Sequence, residues 1–104
     1  MGLISLTSTN FTSEIQSAPY VVQFSTAWCG PCFTQETILR ELIPAHPNLK
    51  FGQVNADENP DIASEYNIFV FPTIIFFKNG TPINKIVGLQ ENALQLQLVV
   101  LECR

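Results

Sequence analysis

Tyr20-Val21-Val22-Gln23-Phe24-Ser25-Thr26-Ala27-Trp28-Cys29-Gly30-Pro31-Cys32 carries the chain from a β-favouring run directly into a cysteine pair. The run from Tyr20 to Phe24 is bounded by Pro19 on one side and Ser25-Thr26 on the other. A short, nearly continuous apolar stretch of this kind reads as a strand buried on both faces of a parallel sheet, with Gln23 as its odd polar member. Beyond it, Pro31 suits the first turn of a helix. Ile38, Leu39, Leu42 and Ile43 then repeat at spacings of three and four until Pro44 and Pro47 stop the pattern. The two cysteines therefore stand where a buried strand gives way to a helix.

Working outward, Leu3 to Leu6 reads as a short strand, and Thr9 or Asn10 caps a helix carrying Phe11, Glu14 and Ile15 before Ala18-Pro19 ends it. Leu49 to Asn55 reads as a third parallel strand, and Asn59-Pro60-Asp61 opens a short helix through Ile62, Ala63 and Tyr66. Thr73 to Lys78 and Pro82 to Val87 flank Asn79-Gly80, a tight-turn signal that joins two antiparallel strands. Glu91 to Leu101 closes the chain as an amphipathic helix. The order βαβαβαββα predicts an α/β fold in one domain over residues 1–104, a central mixed sheet of about five strands flanked on both faces by about four helices.

Composition supports a packed domain and excludes several roles. Of 104 residues, 46% are hydrophobic and 13% charged, enough apolar surface to offset chain entropy. The net charge is -4, and the five Lys and Arg residues are scattered at Arg40, Lys50, Lys78, Lys85 and Arg104, with no basic stripe to follow a phosphate backbone or an anionic membrane. No nucleic-acid or membrane partner is expected. The first twenty residues hold no Lys or Arg and no long apolar segment, and Val70 to Phe77 is too short to span a bilayer. Met1-Gly2 begins like a myristoylation signal but has Leu6 where the signal needs Ser or Thr. Three cysteines, two of them close together, do not read as a secreted disulfide framework. The expected location is the cytoplasm, with a working cysteine pair.

The physics of Trp28-Cys29-Gly30-Pro31-Cys32 follows from its place. A thiolate is the reactive form of cysteine, and the unpaired N–H groups and positive dipole end of a helix stabilise it. Cys29 is thus the expected nucleophile. Cys32 lies one turn inside, near enough to close a short disulfide and to displace a partner bound to Cys29. Gly30 permits the tight turn and Pro31 stiffens it. The competing readings are half a zinc site or two incidental buried cysteines. Zinc needs four ligands, and Cys103 and His46 are single residues without ligand spacing, so no metal is expected. Cys103 reads as an idle terminal thiol and His46 as a surface residue at a helix end.

The chain resembles the thioredoxin family over nearly its whole length. Besides the Trp-Cys-Gly-Pro-Cys signature, Phe24-Ser25-Thr26-Ala27, Val54-Asn55-Ala56-Asp57, Phe71-Pro72-Thr73, Lys78-Asn79-Gly80 and Val87-Gly88 occur in that family's order and spacing. The resemblance implies a thioredoxin fold in which Cys29 attacks, Cys32 resolves, and Pro72 is a cis proline facing the pair. With Pro72 so bent, the Phe71 backbone would pair with an extended substrate segment. Trp28, Phe69, Val70, Phe71 and Gly88 would surround the sulfurs as an apolar docking surface, although some of these side chains must be core, and Phe69 and Val70 fit either place. The resemblance also implies an indole N–H bond from Trp28 to Asp57.

Four positions depart from the family. Gln23 and Gln53 stand where it commonly has a buried Asp and a Lys. Loss of both charges together is physically consistent, because two neutral amides are able to hydrogen-bond each other. Gln23 cannot serve as general base for Cys32, so slower resolution is expected. Thr37 replaces a common helix-kinking proline, predicting a straighter helix, and Phe33 replaces a common Lys, adding apolar surface beside the sulfurs. The implied function is reduction of disulfide-containing protein substrates by a monomer without bound cofactor, recharged by a thioredoxin-reductase-like enzyme. The alternatives are a partner-binding module with weak redox activity, or a disulfide isomerase or oxidase.

Overall fold

In the computed structural model, which describes residues 2–89 and 92–103, the Tyr20-led run lies at the middle of the sheet. The chain order is β1 (Ile4–Leu6), α1 (Phe11–Gln16), β2 (Tyr20–Ser25), α2 (Gly30–Leu42), a 3-10 turn (Ile43–Ala45), β3 (Lys50–Asn55), α3 (Pro60–Glu65), β4 (Thr73–Lys78), β5 (Thr81–Val87) and α4 (Asn92–Cys103). The strands lie side by side as β1-β3-β2-β4-β5. β3 runs parallel to β1 and β2, while β4 runs antiparallel to β2 and β5. Every residue of β2 is buried, as a central strand with both faces covered must be.

The alternation of β2 divides the interior into two cores. Tyr20, Val22 and Phe24 face one side with Phe11 and Ile15 of α1 and Ile62 and Ala63 of α3. Val21 faces the other with Leu39 of α2 and Leu94, Leu98 and Leu101 of α4. Helices therefore cover both faces of a single sheet. The radius of gyration of 12.2 Å matches one compact body, for which chain length predicts about 13 Å.

Several local details differ from the sequence expectation. Asn10 is the N-cap of α1 but makes no side-chain cap bond. Instead its Oδ1 accepts from the Thr7 N–H at 2.7 Å and its Nδ2 donates to the Ser5 carbonyl at 3.1 Å, tying α1 back to β1. β3 starts at Lys50 rather than Leu49, and β5 at Thr81 rather than Pro82. The turn itself is as expected, with positive φ at Asn79 (54°) and Gly80 (78°). Pro82 is tolerated because β5 is an edge strand, and an irregularity in the pairing opposite Phe76/Phe77 leaves Ile83 as an extra residue. α4 spans Asn92–Cys103. Met1, Glu91, Arg104 and the Cys103 side chain lie outside the described residues. α2 runs unbroken through Thr37, whose hydroxyl donates to the Phe33 carbonyl at 3.1 Å.

Candidate active site

β2 ends at Ser25 and α2 begins at Gly30, so the four residues between them carry Cys29 to the helix N-terminus. Cys29 is the N-cap of α2, with extended backbone (φ -100°, ψ 103°), and its Sγ accepts from the Cys32 N–H at 3.1 Å. The pair is in its oxidised form, a Cys29–Cys32 disulfide with Cα atoms 5.2 Å apart. Cys29 is partly exposed and Cys32 is 3% exposed, so a partner sulfur approaching from solvent reaches Cys29 first. When the pair is reduced, the same N–H and the positive end of α2 face the Cys29 sulfur, the environment that favours a thiolate. Gly30 and Pro31 are both exposed, keeping the mouth of the site open.

The register brings a second loop to the same end of the sheet. Thr73, the first residue of β4, pairs with Phe24 on one side and Val87 on the other. Immediately before it the Phe71–Pro72 peptide is cis. The Thr73 hydroxyl donates to the Val70 carbonyl at 2.6 Å, and the Gly88 N–H donates to the Pro72 carbonyl at 2.8 Å, which joins the β4 entrance to the β5 exit. Gly88 has φ 86°, a left-handed conformation that disfavours side chains, and the space before its Cα is open to a partner's backbone.

The exposed apolar side chains here are those expected of a docking surface, with one exception. Trp28 is 91% exposed, Phe69 76%, Phe33 60% and Val70 53%, so Phe69 and Val70 belong to the surface. Phe71 is the exception, since its side chain is half-buried and packs against the α1/α3 core. Part of the Phe71 side chain stays accessible beside its backbone. Val87 and Leu89 add further exposed apolar area. The sequence marks Val87 as a strand end within the family match and carries no mark at Leu89 beyond the pair of aliphatics flanking Gly88.

Two expected hydrogen bonds do not form. Among the described hydrogen bonds, none joins Trp28 to Asp57. The indole stands out in solvent, while Asp57 sits in an exposed turn whose Asp57 and Glu58 N–H groups donate to Asn55 Oδ1 at 2.9 and 3.2 Å. Gln23 and Gln53 are register partners on β2 and β3, yet their amides do not pair. Gln23 is fully buried, its Nε2 donates to the Cys32 carbonyl at 3.0 Å, and nothing among the described residues donates to its Oε1. The backbone acceptor of α2 lies directly in the amide's path and wins it. Gln53 instead borders a cleft of about 250 Å³ with Ser25, Thr26, Ala27, Cys32, Phe33, Glu36 and Asn55.

Among the described residues no cluster of His, Cys, Asp and Glu has the arrangement to hold a metal ion, and no helix is long and apolar enough to cross a membrane. Comparison with known proteins gives a concordant result. The thioredoxin family model matches residues 2–99. A thioredoxin of Alicyclobacillus acidocaldarius is 39% identical over 98 residues, covering 91% of this chain and 93% of that protein. A Staphylococcus aureus thioredoxin is 35% identical over 91 residues, with 86% and 88% covered. The crystal structure of oxidised mitochondrial thioredoxin 3 from Saccharomyces cerevisiae superposes with a TM-score of 0.89 at 35% identity over 94% of each chain.

Proposed function

The chain belongs to the thioredoxin family and is a thiol–disulfide oxidoreductase, and on that premise we propose the course by which Cys29 and Cys32 reduce a partner's disulfide. In the reduced protein the Cys29 thiolate attacks one sulfur of the substrate disulfide. A mixed disulfide forms, and the other substrate sulfur leaves as a thiolate. Cys32 then loses its proton and attacks Cys29 Sγ, which closes the Cys29–Cys32 bond and releases the second substrate thiolate. Two electrons pass from the pair to the substrate.

The observation that carries this reading is the position of Cys29, a partly exposed N-cap whose sulfur faces the Cys32 N–H at 3.1 Å, with the second sulfur buried behind it. Trp28, Phe33, Phe69 and Val70 supply an uncharged apolar face for an unfolded or extended substrate segment. The Phe71 backbone beside cis Pro72 and the open approach at Gly88 recognise main chain rather than sequence, which suits a reductase of many proteins. The protein works as a monomer in the cytoplasm, where thiols are kept reduced, needs no bound cofactor, and is recharged by a thioredoxin-reductase-like enzyme.

The test is insulin-disulfide reduction by the pure protein with dithiothreitol, alongside Cys29→Ser, with the redox potential taken on the same preparation. The expected outcome is activity that disappears in the variant, at a strongly reducing potential. A clearly more oxidising potential would point to an isomerase or oxidase. An inactive but folded native chain would point to a partner-binding module.

A further inference from the structure

The resolving step requires Cys32 to lose a proton, and the cleft beside it is neutral but for one group. Cys32 is 3% exposed, and the amide of Gln23, which holds its carbonyl, accepts no proton at neutral pH. The cleft of about 250 Å³ that reaches Cys32 is bordered by one carboxylate, that of Glu36. Glu36 follows Cys32 by four residues on α2, the spacing that places two side chains on one face of a helix. Arg40 fixes the carboxylate from the next turn, with Nε at 3.1 Å and Nη2 at 3.0 Å, both from Oε2, and no described contact occupies Oε1. The strands beside Glu36 offer no competing charge among the described residues: Leu3 and Ser5 come from the β1 side, and Gln53 and Asn55 from β3.

We propose that Glu36 is the proton acceptor for Cys32 in the resolving step, through a water in this cleft, whose volume exceeds the roughly 30 Å³ that one water takes. The inference rests on the disulfide-exchange reading. As Cys32 attacks Cys29 Sγ, its S–H proton passes to the water and the water's proton to Glu36. The Cys29–substrate S–S bond breaks, the Cys29–Cys32 bond forms, and the substrate leaves as a thiolate that can take the proton back from Glu36. No outside oxidant or reductant enters.

The experiment mixes the reduced chain with a disulfide-linked peptide pair, at concentrations that make the first step fast. Release of the first and second peptide thiols is followed in time, with fluorescence of Trp28, the sole tryptophan, as a second signal. Glu36→Gln should leave first-thiol release within about twofold and slow second-thiol release about tenfold to a hundredfold. Its second step should also rise about tenfold per pH unit between about pH 6 and 8, as hydroxide takes over, whereas the native step rises less steeply. Glu36→Asp should recover part of the rate. Equal second-step rates and the same pH profile in the native chain and Glu36→Gln would overturn the inference while leaving the disulfide-exchange reading intact. A native chain that forms no mixed disulfide would overturn that reading, and this inference with it.

Discussion

Gln23 shows how a single buried side chain changes meaning once its partner is known. Its amide donates to the Cys32 carbonyl, so it supports the backbone at Cys32, and it makes no hydrogen bond to its register partner Gln53. Restoring a carboxylate there should therefore harm the fold. Gln23→Asp shortens the side chain by one methylene, which withdraws the donor from the Cys32 carbonyl, and places an acid in a fully buried site where Gln53 supplies no counter-charge. In the unfolded chain this acid ionises near its ordinary value of about 4, while burial keeps it protonated in the folded state to higher pH. The sign follows: the unfolded state loses its proton first, so folding stability falls as pH rises above about 4 and levels off only once the buried acid ionises too. The expected result is a lower Tm for Gln23→Asp, with a larger loss at pH 7 than at pH 4, measured by thermal denaturation at both. An unchanged Tm at pH 7 would contradict the buried-donor role. That Gln23 is buried was legible from its place in an apolar run. Its partner was not, because only the packing of α2 on β2 brings the Cys32 carbonyl to its amide.

At the scale of elements, β3 is wedged between β1 and β2, and one glycine makes the fit possible. A Cβ on Gly52 would stand 2.6 Å from Leu6 Cδ1 and 2.9 Å from Tyr20 Cε1. Both neighbours are fully buried in the core. Gly52→Ala should cost about 1–3 kcal/mol of stability, the usual penalty for overfilling a packed core, read as a lower urea midpoint at unchanged slope. A midpoint equal to the native one would mean that the β1 side yields. The elements themselves were readable: strand, helix period and Asn79-Gly80 turn each agreed with the fold. Their ends were less so, as at Lys50 and Thr81, because pairing with a neighbour extends or trims a strand beyond what its own residues prefer.

At the scale of the whole molecule, the α1/α3 core is knit by Phe11, Phe24, Tyr66 and Phe77, with ring centroids 5.4–6.4 Å apart. It also holds Tyr20, whose hydroxyl donates to Glu14 Oε1 at 3.0 Å. Burial, reinforced by Glu14, raises the Tyr20 phenol well above its usual range, and burial with Glu65 nearby raises that of Tyr66. Unfolded phenols ionise near pH 10 while these two remain protonated, so stability should be intact below that pH and decline as pH rises beyond it. Thermal denaturation between about pH 9 and 11 should show this loss, and Tyr20→Phe should make it shallower. A slope identical to the native one would remove Tyr20 from the account.

The order of elements, the central strand and the cysteine pair at the head of a helix are legible in the amino-acid sequence alone. These are set by local signals: apolar period, proline and glycine placement, and the spacing of two thiols along one turn. The family match around Phe71-Pro72-Thr73 added the cis peptide. Packing in three dimensions sets the rest: Phe69 and Val70 face solvent while Phe71 turns inward, Trp28 leaves Asp57 alone, and Glu36 shares a cleft with Cys32. Each of those facts depends on which groups from distant parts of the chain meet, and burial and hydrogen bonding among such groups are settled by competition for the same space and the same donors, which no local pattern encodes.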